Sequence, residues 1–275
     1  MGVPTTHGPP CAPQPHGPVC PCNPYLISSN QEGLGTFGDQ HIFTLVSEVA
    51  RRALNAAWYQ KWFVHRRLRP EEFGGLIHRQ LNTNPPPPPP NPVPYPINNE
   101  ILRIGGLGGN PTVLDRIFNL NGQHTYLLPQ AYVEGSPLHP SYTSGHATIA
   151  GACVTVLKAF YDESFTFKKS YQPNAAGTGL DPATDPTTGN PLPDNNLTIG
   201  DELNKLASNI ALGRNMAGIH YRSDYRQGLL LGQKVAISIL LDQLPLYNEP
   251  YCFNFHDFDG NQVSIGTDCE ACLPS

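Results

Sequence analysis

The sequence predicts an all-α protein, with four or five substantial helices packed around one core. Three observations predict it. Apolar residues recur at helical period in several long stretches. The 30 prolines and 26 glycines concentrate between those stretches, as long irregular connections. No stretch carries the apolar/polar alternation of a half-buried strand, and no internal repeat is visible.

The elements follow in chain order. Residues 1–38 are rich in Pro, Gly and Cys and read as an extended N-terminal arm. The helical domain is placed at 39–275. Its first long helix is expected over 40–68, where Phe43, Leu45, Val46, Val49, Ala50, Ala53, Leu54 and Ala57 recur, with Pro70 as its stop. Residues 84–96 (NPPPPPPNPVPYP) form a polyproline stretch, read as an exposed spacer rather than a recognition ligand. A shorter helix is expected over 111–119 and an apolar one over 145–161. Residues 171–198 read as a polar surface loop. Helices at 200–217 and 222–242 follow, and 250–275 read as an irregular tail.

Composition excludes several classes of partner. The net charge is −5 and the pI about 6.0, so there is no basic footprint for nucleic acid. No uninterrupted run of about 18 apolar residues suggests a membrane span. The N-terminus lacks the basic and apolar regions of a signal peptide, and Met1-Gly2-Val3-Pro4-Thr5-Thr6 meets a myristoylation pattern only superficially. A soluble protein is expected, with localisation left open. The cysteines stand at 11, 20, 22, 153, 252, 269 and 272. Cys153 falls inside an apolar helix and reads as core. The terminal six read as thiols or disulfides rather than zinc ligands, because paired CxxC spacing is missing.

Three separated segments carry the chemistry: residues 61–70 (KWFVHRRLRP), 139–146 (HPSYTSGH) and 214–224 (RNMAGIHYRSD). Together they could cage one tetrahedral oxyanion, which needs point charges, fork donors and amide N–H groups from several directions. Lys61, Arg69 and Arg214 can supply charge, in a chain with only 17 Lys and Arg. Lys61 and Arg69 lie roughly two helical turns apart, so an intact helix would put both on one side. Ser144 and the Gly145 amide open a helix, where unpaired N–H groups and the dipole favour an anion; equally, Ser144 could be a cap and no more. Asp224 follows His220 by four residues and could fix its tautomer, or the two could form a structural pair at a helix start. Arg66 and Arg67 read as solvated charges. His65, Trp58 and Trp62 read as surface or packing residues.

In this order the segments resemble the vanadium-dependent haloperoxidases, whose wider superfamily includes type 2 phosphatidic acid phosphatases and bacterial class A acid phosphatases. The shared pattern is Lys…Arg-Pro, then P-S-x-x-S-G-H, then Arg…H-x-x-x-D. Here it reads Lys61…Arg69-Pro70, Pro140-Ser141-Tyr142-Thr143-Ser144-Gly145-His146 and Arg214…His220-Tyr221-Arg222-Ser223-Asp224. The flanking text looks nearest to bromoperoxidases of red algae and cyanobacteria. The resemblance implies the C-terminal helical bundle of longer relatives, holding orthovanadate. His220 would be the vanadium ligand. Lys61, Arg69, Ser144, Gly145 and Arg214 would hold oxygens. His146 would be the acid–base group, His139 the extra histidine of bromoperoxidases, and Asp224 the residue that orients His220.

The implied reaction is oxidation of halide, bromide first and iodide also, by hydrogen peroxide to hypohalous acid, with halogenation of small organic substrates. The metal would act as a Lewis acid. A homo-oligomer is implied, since the bundle missing from this chain covers apolar surface in the relatives. The relatives also bind calcium, to which no residues here are assigned. Two other readings stand beside this one. The first is a phosphatase with His220 as nucleophile and His146 as leaving-group acid. The second is a non-catalytic fragment or assembly module.

Overall fold

The computed structural model describes residues 23–25, 28–82, 97–98, 100–102, 112–120, 122, 124–167, 169–192, 197–249 and 251–266. The polyproline stretch and every terminal cysteine except Cys252 lie outside these residues. Cys252 is disulfide-bonded.

Helix α1 runs Asp39–Tyr59 and buries Ile42, Leu45, Val49, Ala53 and Ala57, one stripe at helical spacing. It does not continue as a regular helix to 68. A π turn, Gln60–His65, widens the coil, and Arg66 closes it in the left-handed region with its N–H on Lys61 O at 2.9 Å. The chain then runs irregularly to Arg69, where Pro70 begins a helix rather than ending one. Proline suits a first helical position, since its missing N–H would be unpaired there. That helix, α2 (Pro70–Asn82), is capped by Glu72, whose carboxylate accepts the Arg69 N–H at 2.6 Å. The sequence reading missed it. With α3 (Val113–Leu120), α2 builds a small satellite core of Ile77, Ile97, Leu114 and Tyr126.

The centre of the molecule is α4 (Gly145–Phe160), buried on nearly every side and packed against α1, α5 (Ile199–Met216) and α6 (Arg222–Gln243). The contact with α6 is backbone to backbone. A Cβ on Gly232 would lie 2.0 Å from Thr148 O, one on Gly151 2.4 Å from Leu229 O, and one on Gly228 2.8 Å from Ala147 Cβ. With its extension to Leu246, α6 is long and apolar enough to cross a membrane by length and composition alone. Its Gly228, Gly232, Ala236, Ile239 and Leu240 are nevertheless core residues here.

Three further expectations need correction. The tail is not irregular throughout: β3 (Cys252–His256) and β4 (Gln262–Gly266) form an antiparallel hairpin. Phe253, Phe255 and Ile265 from it close the main core with Phe37, Leu45, Val49, Val156, Phe160 and Leu240. Within 171–198, a short exposed hairpin pairs β1 (Tyr171–Pro173) with β2 (Leu180–Pro182). The boundary drawn at 38 also cuts through packing, because Phe37 is a core residue.

The glycine contact is testable. Gly232→Ala should lower the unfolding free energy by about 3 kcal/mol or more, since the obstacle is a backbone carbonyl. Gly213→Ala, on α5 with open space around its Cβ, should raise it by about 0.5–1 kcal/mol. Urea denaturation of both variants checks the pair.

Candidate active site

The three segments converge where the N-termini of α4 and α6 meet the chain leaving α1. Lys61 is fully buried and spends two of its three N–H donors on carbonyls, Pro140 O at 2.6 Å and Ser141 O at 3.1 Å. The π turn therefore aims Lys61 inward, and the irregular stretch after it does the same for Arg69. Lys61 and Arg69 thus meet without sharing an intact helix. Buried Arg69 donates to His139 O (2.9 Å), Ile219 O (2.9 Å), His139 Nδ1 (3.0 Å) and His220 Nε2 (3.0 Å).

Those contacts fix proton positions. A guanidinium can only donate, so Nε2 of His220 presents a lone pair, whereas Nδ1 of His139 faces both Arg69 and, at 3.4 Å, the acceptor Pro140 O. The His220 proton then sits on Nδ1, 3.0 Å from Asp224 Oδ2. Burial first, with the charges of Arg69 and Lys61, pushes His220 down to about 4 against the pull of Asp224. His139 is likewise pushed down to about 4, by burial and by Lys61 and Arg69, and its ring packs on Trp58 with centroids 4.8 Å apart.

Asp224 is fully buried. Its Oδ2 also accepts from Tyr221 N–H at 3.0 Å and from the Ser141 hydroxyl, and its Oδ1 accepts from Arg67 at 3.1 Å. Burial alone would raise this carboxyl, but the bonds from His220, Ser141 and Tyr221 outweigh it and hold the pKa low. Arg67, read from sequence as a solvated charge, is thus part of the site. Its exposed position and charged neighbours hid it, and only the fold supplies its partner 157 residues away. Arg66 does lie on the surface, donating to Trp62 O.

Ser144 caps α4, its side chain accepting the Ala147 N–H at 3.4 Å, which leaves the hydroxyl proton free to donate elsewhere. Its own N–H is held by Asp224 O at 3.1 Å, which ties the two helix starts together. Gly145 is the first residue of α4. His146 follows, exposed, its pKa lowered by partial burial and by the charges of Arg214 and Lys61. Arg214, in the last turn of α5, reaches Tyr132 Oη at 3.3 Å, while its buried Nε has no partner.

The set is short of negative charge. Lys61 is pushed down to about 7, by burial and then by Arg69, with Asp224 pulling the other way. Asp224 is already shared with Arg67. Buried cations that repel each other, an orphaned Arg214 N–H and a helix start suit a polyvalent oxyanion. Tetrahedral vanadate or phosphate fits that donor set, and the His220 Nε2 lone pair, met here by Arg69 at 3.0 Å, is one that a metal centre could take instead.

Comparisons with known proteins agree with this chemistry. A family model for the VCPO second helical-bundle domain matches residues 124–243. The chain is 42% identical over 242 residues to a vanadium-dependent bromoperoxidase of Corallina officinalis, covering 86% of this chain and 38% of that protein. It is 37% identical over 256 residues to one from Ascophyllum nodosum, covering 89% and 41%. The solved homohexameric second vanadate-dependent bromoperoxidase of Ascophyllum nodosum superimposes with a TM-score of 0.69 at 32% identity, over 88% of this chain and 42% of that one. The chain therefore spans well under half the length of these relatives.

The depressed His220 value has a thermodynamic consequence. Between about pH 6.5 and 4 the unfolded histidine binds a proton that the folded one refuses. Stability present above pH 6.5 is thus lost as pH falls through 4, by roughly 3 kcal/mol from this residue. Urea unfolding of anion-free protein should show that loss, and His220→Gln should flatten it. An unchanged slope in the variant would count against the neutral buried His220.

Proposed function

We propose that this chain belongs to the vanadium-dependent haloperoxidases, through the part of those proteins that it spans, and that it uses vanadate to oxidise halide with hydrogen peroxide. Bromide is the first candidate halide, with iodide also accepted. The product is hypohalous acid, and small organic molecules are the acceptors. The observation that carries this reading is the His220 Nε2 lone pair held inside a cluster of buried, mutually repelling cations.

In this reading Lys61, Arg69, Arg214, Ser144, the Gly145 amide and His146 hold the oxygens, and His220 Nε2 is the ligand to vanadium. Vanadate bound there would supply Lewis acidity toward peroxide without changing oxidation state. The chain's own residues do the rest. Asp224 keeps the His220 proton on Nδ1 and the ring fixed. Lys61, anchored by two carbonyls, keeps one donor for the anion and gains charge as the anion binds. His146 is exposed at the cage, and partial burial with the charges of Arg214 and Lys61 lowers its pKa and favours the neutral ring, the form that can take a proton. His139 is locked to Arg69 and Trp58 and tunes the oxygen-binding side rather than exchanging protons freely.

Assembly belongs to the same proposal. The solved relative is a homohexamer, and this chain exposes Phe43, Phe63 and Leu246 broadly, at 72%, 74% and 76%. We assign it to a homo-oligomer that covers such surface. Calcium is given no residues: among the described residues no three His, Cys, Asp or Glu side chains group as a metal site.

Bromide oxidation by peroxide, with apoprotein titrated by orthovanadate, tests the reading. Activity should saturate with vanadate, fall with added phosphate through competition for the cage, and vanish in His220→Ala. Folded protein that stays inactive at every vanadate level would sink it.

A further inference from the structure

Arg67 does not serve the carboxylate oxygen that holds His220. Its Nη1 donates to Asp224 Oδ1 at 3.1 Å and to Ser223 Oγ at 2.7 Å. Its guanidinium lies over the Tyr221 ring, 4.2 Å from the centroid. Its carbonyl accepts the Ser141 N–H at 2.9 Å, so the backbone of Arg67 holds the same residue whose hydroxyl meets Asp224. The two oxygens of Asp224 are thus divided. Oδ2 serves His220, Tyr221 and Ser141, and Oδ1 serves Arg67.

Among the described residues, Arg67 is the only Lys or Arg side chain in a direct ion pair with this fully buried carboxylate. Without it, Oδ1 would be buried with no donor, and the carboxylate would lose its direct ion pair. The carboxylate would then turn about its Cβ–Cγ bond to find one. Turning takes Oδ2 off the His220 Nδ1–H, and the imidazole loses the contact that aims Nε2 into the cage.

We propose that Arg67 is a positioning residue: it clamps the far oxygen of Asp224 and thereby holds His220 in the orientation and tautomer that receive the oxyanion. This rests on the oxyanion reading of the cage. It assigns to Arg67 an effect on oxyanion affinity exerted wholly through Asp224.

The test uses tungstate, an oxyanion of the same shape, measured by calorimetry on the full chain. A second readout is the proton NMR resonance of the hydrogen-bonded His220 Nδ1–H in 15N-histidine-labelled protein. Arg67→Met keeps the stem against Tyr221 and removes the charge. It should weaken tungstate binding about tenfold or more and displace or broaden the resonance. Arg67→Lys should recover most of both. In an Asp224→Asn background, Arg67→Met should add no more than about twofold. Binding within about twofold of wild type with an unmoved resonance would overturn the proposal. So would a loss that persists in full beside Asp224→Asn, which would mean that Arg67 acts by another route. Should Arg67→Met not fold, Arg67→Gln takes its place under the same outcomes. If the wild-type chain itself binds no tungstate, the oxyanion reading fails separately, and the resonance alone decides the role of Arg67.

Discussion

The carboxylate of Asp224 is where the three segments of the site are tied. It takes hydrogen bonds from Arg67 of the first segment, Ser141 of the second, and His220 and Tyr221 of the third. The backbone carbonyl of the same residue holds Ser144, the cap of α4. A buried charge persists only when every lone pair is met. Meeting these pulls in elements that lie about 80 and 157 residues away along the chain. Asp224 also caps its own helix through Tyr221, so one side chain sets the start of α6, the tautomer of His220 and the entry to α4.

Around that tie the fold tolerates an arrangement that weakens it. Lys61 and Arg69 are buried side by side, and each charge disfavours the other. Carbonyls of the 139–141 loop and Ile219 absorb part of their donor capacity, but none of their charge. The main apolar cluster is built from residues of α1, α4, α6 and the β3–β4 hairpin. An anion bound between Lys61 and Arg69 would relieve that mutual repulsion and stabilise the folded chain.

Much of this was legible before any coordinates. Helices α1, α4, α5 and α6 each carry a long apolar pattern, and their boundaries fall within a few residues of the expected ones apart from the C-terminal end of α1. The motif residues Lys61, Arg69, Ser144, His146, Arg214, His220 and Asp224 could be named from spacing and resemblance. What escaped depends on tertiary partners. The π turn exists because Lys61 finds carbonyls at 140 and 141, which nothing local announces. Helix α2 hid behind Pro70, read as a stop, and behind the poor helix formers Gly74 and Gly75. The hairpin was flagged only by Asp259-Gly260 between short apolar runs, a turn signal that went unused. Arg67 looked like one more charge on a basic stretch until Asp224 was placed beside it.

The backbone contact between α4 and α6 also bears on how such a protein can change over generations. At Gly232 and Gly151 the neighbouring atoms are main-chain carbonyls, which no compensating side-chain substitution removes. Any single-base change in a glycine codon that alters its meaning introduces a Cβ or a stop. These positions are therefore closed to gradual drift, whatever reaction the cage supports. The spacing of the starts of α4 and α6 is inherited as a backbone property.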